Sequence, residues 1–543
     1  MNFRLLCKML GLIAALVGGT MAFSLPWALP ILGGDWTDES RGFFGLLGAM
    51  LICFLVGALL SCLGRGPQGQ LFRKEAMAVV GLTWVLATLL GALPYLFSGT
   101  QRGPGMPMSP VDAMFESQSG FSTTGATVLT ELEDPSLVPR CILFWRSSTH
   151  FLGGLGIIVL FVAILGQGSA GKALMQAEMP GPSQSSQQAR MQHTAWVLFF
   201  IYAGLNAFLT LLLWVQGLSV FDSLCHAFGT MATGGFSTYN ASVGHFQYVP
   251  GLNGPRIEMT IVVFMVLAGT NFMLLYFVAL GKLGRLWPDV EWRTYMLILA
   301  VVTLLVVGFG IHAGDFADST GMKQATEAGP VTADSQADPI VKQSARAVRY
   351  GLFQVVSIMT TTGFCTDDFD RWNSFARGVM LLLMFIGACA GSTGGGMKVI
   401  RHILFVKILH LELEQAFHPS VVRPLRLAGE PVPEQDLRRQ ILVYYGLIMA
   451  ICTVSWLLTI TFEPDSTWAE PGQHAEHKLV DAASCVAATL NNIGPGLGVV
   501  GATKNYTNFQ WYTKLLFIWL MMLGRLEIYV ILVLFSPRFW RSQ

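Results

Sequence analysis

In a chain of 543 residues, 53% hydrophobic and 12% charged side chains with a mean hydropathy of +0.54 exclude a water-soluble globule and place most of the length in a bilayer. The formal net charge is +1, and no nucleic-acid partner is expected. Nine cysteines are scattered without CxxC spacing, which excludes a zinc ribbon and a disulfide framework.

A transmembrane helix needs about 20 mainly apolar residues, and ten such stretches start near residues 9, 43, 76, 141, 194, 257, 293, 376, 438 and 510. The first, Met9 to Leu32 behind Arg4 and Lys8, is too long for a signal peptide and lacks a small-residue cleavage site, so it reads as a retained span. Basic residues gather in alternate loops: Arg65, Arg73 and Lys74; Lys172 and Arg190; Lys282, Arg285 and Arg293; Lys398, Arg401 and Lys407; Arg438 and Arg439; Arg538 and Arg541. Both termini then face the cytoplasm. The opposite loops carry Asp35, Asp38 and Glu39, then Glu131, Glu133 and Asp134, then Asp315, Asp318, Asp334 and Asp338. These predict a negative outer vestibule that attracts cations.

Between spans lie four segments, Val111–Gly125, Phe221–Gly235, Arg349–Gly363 and Val480–Gly494, helical in pattern and closed by a Gly-containing turn. Helices of about 12 residues are too short to cross and must be re-entrant. The unit is span, half-helix, loop, span, repeated four times after two leading helices. The fold class that follows is an all-α polytopic membrane protein with four M1-P-M2 pore repeats around a pseudo-four-fold axis. Residues 1–70 form the leading pair and 71–187, 188–288, 289–430 and 431–543 the repeats.

Non-helical backbone at membrane depth survives only when buried in protein or lining water, a demand that four loops around one axis meet together. Their carbonyls can replace the hydration shell of a cation. Glycine suits such loops because the required backbone conformations are costly with a Cβ, and half-helix C-termini add partial negative charge.

The residues that carry this pattern are Gly120–Thr127, Met359–Phe364, Leu490–Gly496, the run Gly391–Lys398 and Gly524–Glu527. Over nearly the whole chain they resemble the Trk/Ktr/HKT superfamily of K+ transporters, in its bacterial TrkH/TrkG-type branch. The resemblance implies a K+ filter at Thr123, Thr124 and Gly125; Thr233, Gly234 and Gly235; Thr361, Thr362 and Gly363; and Asn492, Ile493 and Gly494. Register between Gly234 and Gly235 stays open at this point. The resemblance further implies K+ as the transported ion with no organic cofactor, a homodimer, a cytosolic TrkA-type nucleotide-binding ring, and the bacterial inner membrane as location.

The span near Arg377 stays apolar to Ala390 and then meets Gly391, Ser392, Thr393, Gly394, Gly395 and Gly396, through which no stable helix is expected. It reads as an intramembrane loop under the filter, a gate by resemblance, against a flexible kink or close helix packing. Arg525 lies inside the last span, where an ionisable side chain must face protein or water. Glu527 points to another side of that helix, so Arg525 is expected below the filter as an electrostatic barrier. Asp112, Asp222 and Asp481 share an early re-entrant position and read as caps, and His226 reads as a residue that packs or hydrogen-bonds. Two rival classes remain: a secondary transporter of an organic solute, whose repeats would be inverted, and an enzyme, for which no GxSxG, HExxH, Walker or Rossmann pattern is present.

Overall fold

A computed structural model describes residues 1–66, 73–156, 191–316, 340–418, 426–427, 430–431, 435–469, 477–526 and 528–541. Lys172, Arg190, Asp318, Asp334, Asp338 and Glu527 of the sequence reading lie outside the described residues. The described chain is helical apart from two short hairpins, Gln101–Gly103 with Met106–Pro107 and Arg426–Leu427 with Glu430–Pro431. The leading helices, Phe3–Met21 and Trp36–Leu63, meet along small residues. A Cβ added at Gly11 would lie 2.7 Å from the Gly57 carbonyl oxygen, and one at Gly18 2.7 Å from Cys53 Cβ. Close backbone approach suits helix pairing in lipid, where burying apolar side chains gains little.

The repeats follow in order. Their first spans are Arg73–Phe97, Met191–Val215, Val290–Ala313 and Gln435–Phe462. The re-entrant helices are Pro110–Phe121, Val220–Met231, Ile340–Met359 and Lys478–Leu490. The third, at 20 residues, is longer than the pattern predicts. Ser109 Oγ accepts from Asp112 N and Ser219 Oγ from Asp222 N, so serines provide these caps, and Asp112 completes a capping box by accepting from Ser109 N. Asp481 departs from its expected role: it accepts from Val499 N in the segment that follows the filter.

Each of the ten stretches expected as spans contains a helix. Six described helices are long and apolar enough to cross, and a seventh crossing would be the pair Gly254–Ala268 and Phe272–Ala279, bent by 108°. Short second helices are therefore not confined to the third repeat, since Arg140–Leu155 and Trp511–Arg525 are short as well as Ser374–Leu383. In the first and fourth repeats these helices press on the ends of the re-entrant helices. A Cβ at Gly153 would overlap the Phe121 carbonyl, and one at Gly524 the Leu490 carbonyl. Phe121 and Leu490 stand four residues before Gly125 and Gly494, so one contact is used twice.

In the third repeat helix stops at Leu383, not Ala390, and resumes only at Val399. Backbone in this stretch finds other partners. Gly387 N donates to Met397 O at 2.7 Å, Cys389 N to Gly269 O at 3.0 Å, and Val399 N to Ala388 O at 3.2 Å, which satisfies amides that lipid could not.

Candidate functional site

All four re-entrant helices end in the same way. The amide of Thr124 reaches back to Ser119 O and that of Thr123 to Gly120 O; Gly234 and Thr233, Thr362 and Thr361, and Ile493 and Asn492 repeat both bonds. This is the Schellman closure, whose C′ residue adopts the left-handed conformation. Thr123, Thr233, Thr361 and Asn492 take it at φ 54°, 53°, 60° and 55°, where glycine is usual, and each such residue stores roughly 1–2 kcal/mol of strain.

Two residues on, Gly125, Gly235, Gly363 and Gly494 have φ 79°, 77°, 79° and 92°. Their spacing from the strained residue resolves the second loop, because Gly235 and not Gly234 matches the other three. The missing Cβ atoms also have a tertiary reason. A Cβ at Gly125 would overlap Gly234 O, at Gly235 Thr362 O, at Gly363 Ile493 O, and at Gly494 would lie 2.6 Å from Thr124 O. The contacts run first loop to second, second to third, third to fourth and fourth to first. They close a ring in chain order.

Three of the four loops are held from behind by the residue nine positions before the glycine. Glu116 accepts from Val128 N at 3.0 Å and pairs with Arg146 at 2.6 Å, both fully buried; Arg146 also donates to Ser237 O at 2.9 Å, tying the first loop to the second. His226 takes the equivalent place, with Nε2 2.9 Å from Ser237 Oγ, and Gln354 donates to Asp367 O at 2.9 Å. In the loop behind the third filter, burial pushes the Asp367 carboxyl above the usual carboxylate range, against the donating Trp372 indole. His150 bridges two loops: Nδ1 lies 2.8 Å from Gly120 O, and Nε2 accepts from Phe236 N at 3.2 Å. Those partners require the neutral Nδ1–H tautomer. Symmetry is weakest at the fourth loop, where Asn492 Nδ2 donates to Thr124 Oγ1 and Met521 O, and the Gly494 carbonyl accepts from Tyr506.

Gly125, Gly235, Gly363 and Gly494 together line one cavity, with Tyr239 and Lys504 on its wall. No carboxylate is among the described residues that line this cavity, although Glu131 and Glu133 hold Asn240 of its wall. Glu39 accepts from Arg140 N and Cys141 N, Asp35 from Thr37 N, Asp134 from Ser136 N, Asp315 from Asn373 N, and Glu131 and Glu133 from Asn240. Loop acids are absorbed by unpaired amides at turns and helix starts.

On the opposite side of the ring, Arg525 donates to Thr393 O, to Gly153 O at 2.5 Å and to Gly154 O at 2.9 Å. It thus joins the fourth repeat to the first and to the Gly391–Gly396 run. Within that run Gly395 N donates to Thr361 Oγ1 at 2.8 Å, so the run touches a left-handed residue of the third loop. Lys398, read from sequence as a cytoplasmic loop cation, is fully buried and donates to Gly394 O. Sequence reasoning missed Lys398, Glu291 and His150 as parts of this site; the one available signal was the position of Lys398 directly after the glycine run.

The sequence model of the family TrkH, described as a cation transport protein, matches residues 46–542. The Trk system potassium uptake protein TrkH of Escherichia coli K12 is 35% identical over the full length of both chains. TrkG of the same organism is 29% identical over 91% of this chain and 92% of its own. The crystal structure of the potassium transporter TrkH from Vibrio parahaemolyticus superposes with a TM-score of 0.77 at 31% identity, covering all of both chains. Relatives, fold and repeated helices agree that this is a multi-pass membrane protein, and the chain belongs to the TrkH family of cation transport proteins.

Proposed function

We propose that this chain takes up K+ across a bacterial cytoplasmic membrane through the ring of four loops. The carrying observation is the closed chain-order contact of Gly125, Gly235, Gly363 and Gly494 with the carbonyls of Gly234, Thr362, Ile493 and Thr124. Backbone oxygens from four chain segments converge on one axis, and carbonyls so placed substitute for water around a monovalent cation. Thr123, Thr124, Thr233, Thr361, Thr362, Asn492 and Ile493 supply the remaining ring backbone. Four half-helix C-termini end at the ring and add partial negative charge. Potassium is favoured by the names of the full-length relatives.

Below the ring, Gly391, Ser392, Thr393, Gly394, Gly395 and Gly396 with Arg525 act as the gate: a loop across the exit, held by a cation that opposes a passing K+. The functional unit is a homodimer in the inner membrane with both termini cytoplasmic, docked on a TrkA-type nucleotide-binding ring, and its units are the leading helices 1–70 and repeats 71–187, 188–288, 289–430 and 431–543. The test is growth of a K+-uptake-deficient bacterium on low K+. Rescue with a co-expressed TrkA-type partner is expected, and failure despite membrane insertion sinks the K+ reading.

A further inference from the structure

The stretch between Leu383 and Val399 is held at two levels. At its tip, Thr393 O receives Arg525 and Gly395 N reaches Thr361 Oγ1. At its base, the two ends pair with each other through Gly387 N to Met397 O and Val399 N to Ala388 O. A third element grips the base as well. One oxygen of Glu291, Oε1, accepts from Ala390 N at 2.7 Å and from Ile400 N at 3.0 Å.

Glu291 belongs to neither end of the stretch. It sits in the first turn of Val290–Ala313, the span that opens the third repeat, and is buried. A carboxylate in such a place needs charge-assisted partners, and it has chosen one amide from each side of the loop. Tip and base contacts therefore differ in kind. Tip contacts join the loop to the ion path and must break if the path clears, whereas the base contacts tie both loop ends to a single atom of a different helix.

We infer that Glu291 is the hinge of the loop beneath the filter, a positioning residue that holds Ala390 and Ile400 together so that the tip swings about one fixed point. This rests on the gate reading of Gly391–Gly396. It adds that movement of the Val290 end of the span, which follows the basic segment Lys282–Arg285, carries the loop with it.

The test uses the full-length protein in liposomes, reading alkylation of Cys389 by mass spectrometry and basal Rb+ and Na+ flux. Cys389 lies in the loop and is 1% exposed, so its reaction reports loop opening whether or not ions flow. Glu291→Ala, which strands two buried amides, is expected to raise Cys389 alkylation and Rb+ flux about tenfold, with Glu291→Gln returning both to within about twofold because its amide oxygen still accepts. The Rb+/Na+ ratio should stay at the parent value, since the substitution alters none of the glycine–carbonyl contacts that close the ring; a general packing defect would move it. Should Glu291→Ala fail to insert, Glu291→Asp, one methylene too short to hold both amides, carries the same expectation. Unchanged Cys389 alkylation, or Gln as open as Ala, overturns the hinge. Deletion of Gly391–Gly396 separates the two ideas: if it leaves Rb+ flux unchanged the gate reading fails, while the alkylation result still decides the hinge.

Discussion

Replacing Gly363 by Ser should lower the preference for K+ over Na+ about tenfold. The backbone there has φ 79°, a conformation that costs roughly 1–2 kcal/mol with a Cβ, and 1.4 kcal/mol is a factor of ten. The new Cβ would also overlap Ile493 O and approach Pro495 Cδ at 2.9 Å, so the fourth loop must shift as well. Rb+ and Na+ uptake into liposomes, measured at equal protein content, gives the ratio. Gly204 provides the reference, because it lies exposed in Met191–Val215 with no heavy atom within 4 Å of an added Cβ. Gly120, in the last turn of its half-helix, is a poor reference, because a Cβ there would overlap Thr149 Oγ1. A Gly363→Ser ratio equal to that of Gly204→Ser would refute the argument that this glycine is needed for close packing in the ring.

Arg525→Ala removes a charge and frees the carbonyls of Gly153, Gly154 and Thr393. One charge about 4 Å from a passing cation is worth about 1–4 kcal/mol, so basal Rb+ flux should rise about tenfold or more; flux at or below the parent level would make Arg525 structural. Glu116→Ala leaves Arg146 buried without its carboxylate and should destabilise the protein by about 3–5 kcal/mol, read as a lower thermal unfolding midpoint. An unshifted midpoint would mean that Arg146 finds another partner. His150→Leu strands Phe236 N at about 1–3 kcal/mol, while Gly120 O keeps the Thr123 amide; both the midpoint and the Rb+/Na+ ratio should fall, and an intact ratio would confine His150 to packing.

The architecture was legible because its information is local. A half-helix too short to span, a glycine after it and an apolar stretch on either side can be read from neighbours in sequence, and repetition turns a weak signal into a strong one. The same locality explains the errors. Helix was expected to Ala390 because the stretch is apolar, but its amides bond to Met397 and Gly269, partners that no window on that stretch contains. The acidic loops are visible as charge in the sequence, but which amides Glu39, Asp134 and Asp315 hold is decided by the fold.

Sequence alone determined the class, the four repeats and the candidate filter glycines, since hydropathy period and glycine placement are set by residue type. Tertiary structure alone decided that Gly235 and not Gly234 matches the ring, that Lys398 is buried beside the glycine run, and that Glu291 grips both ends of a loop roughly a hundred residues later in the chain. The Glu291 contacts and the approach of Gly235 to Thr362 O join segments far apart in sequence. A backbone amide inside a membrane must find an acceptor wherever one lies, and residue type does not say where that will be.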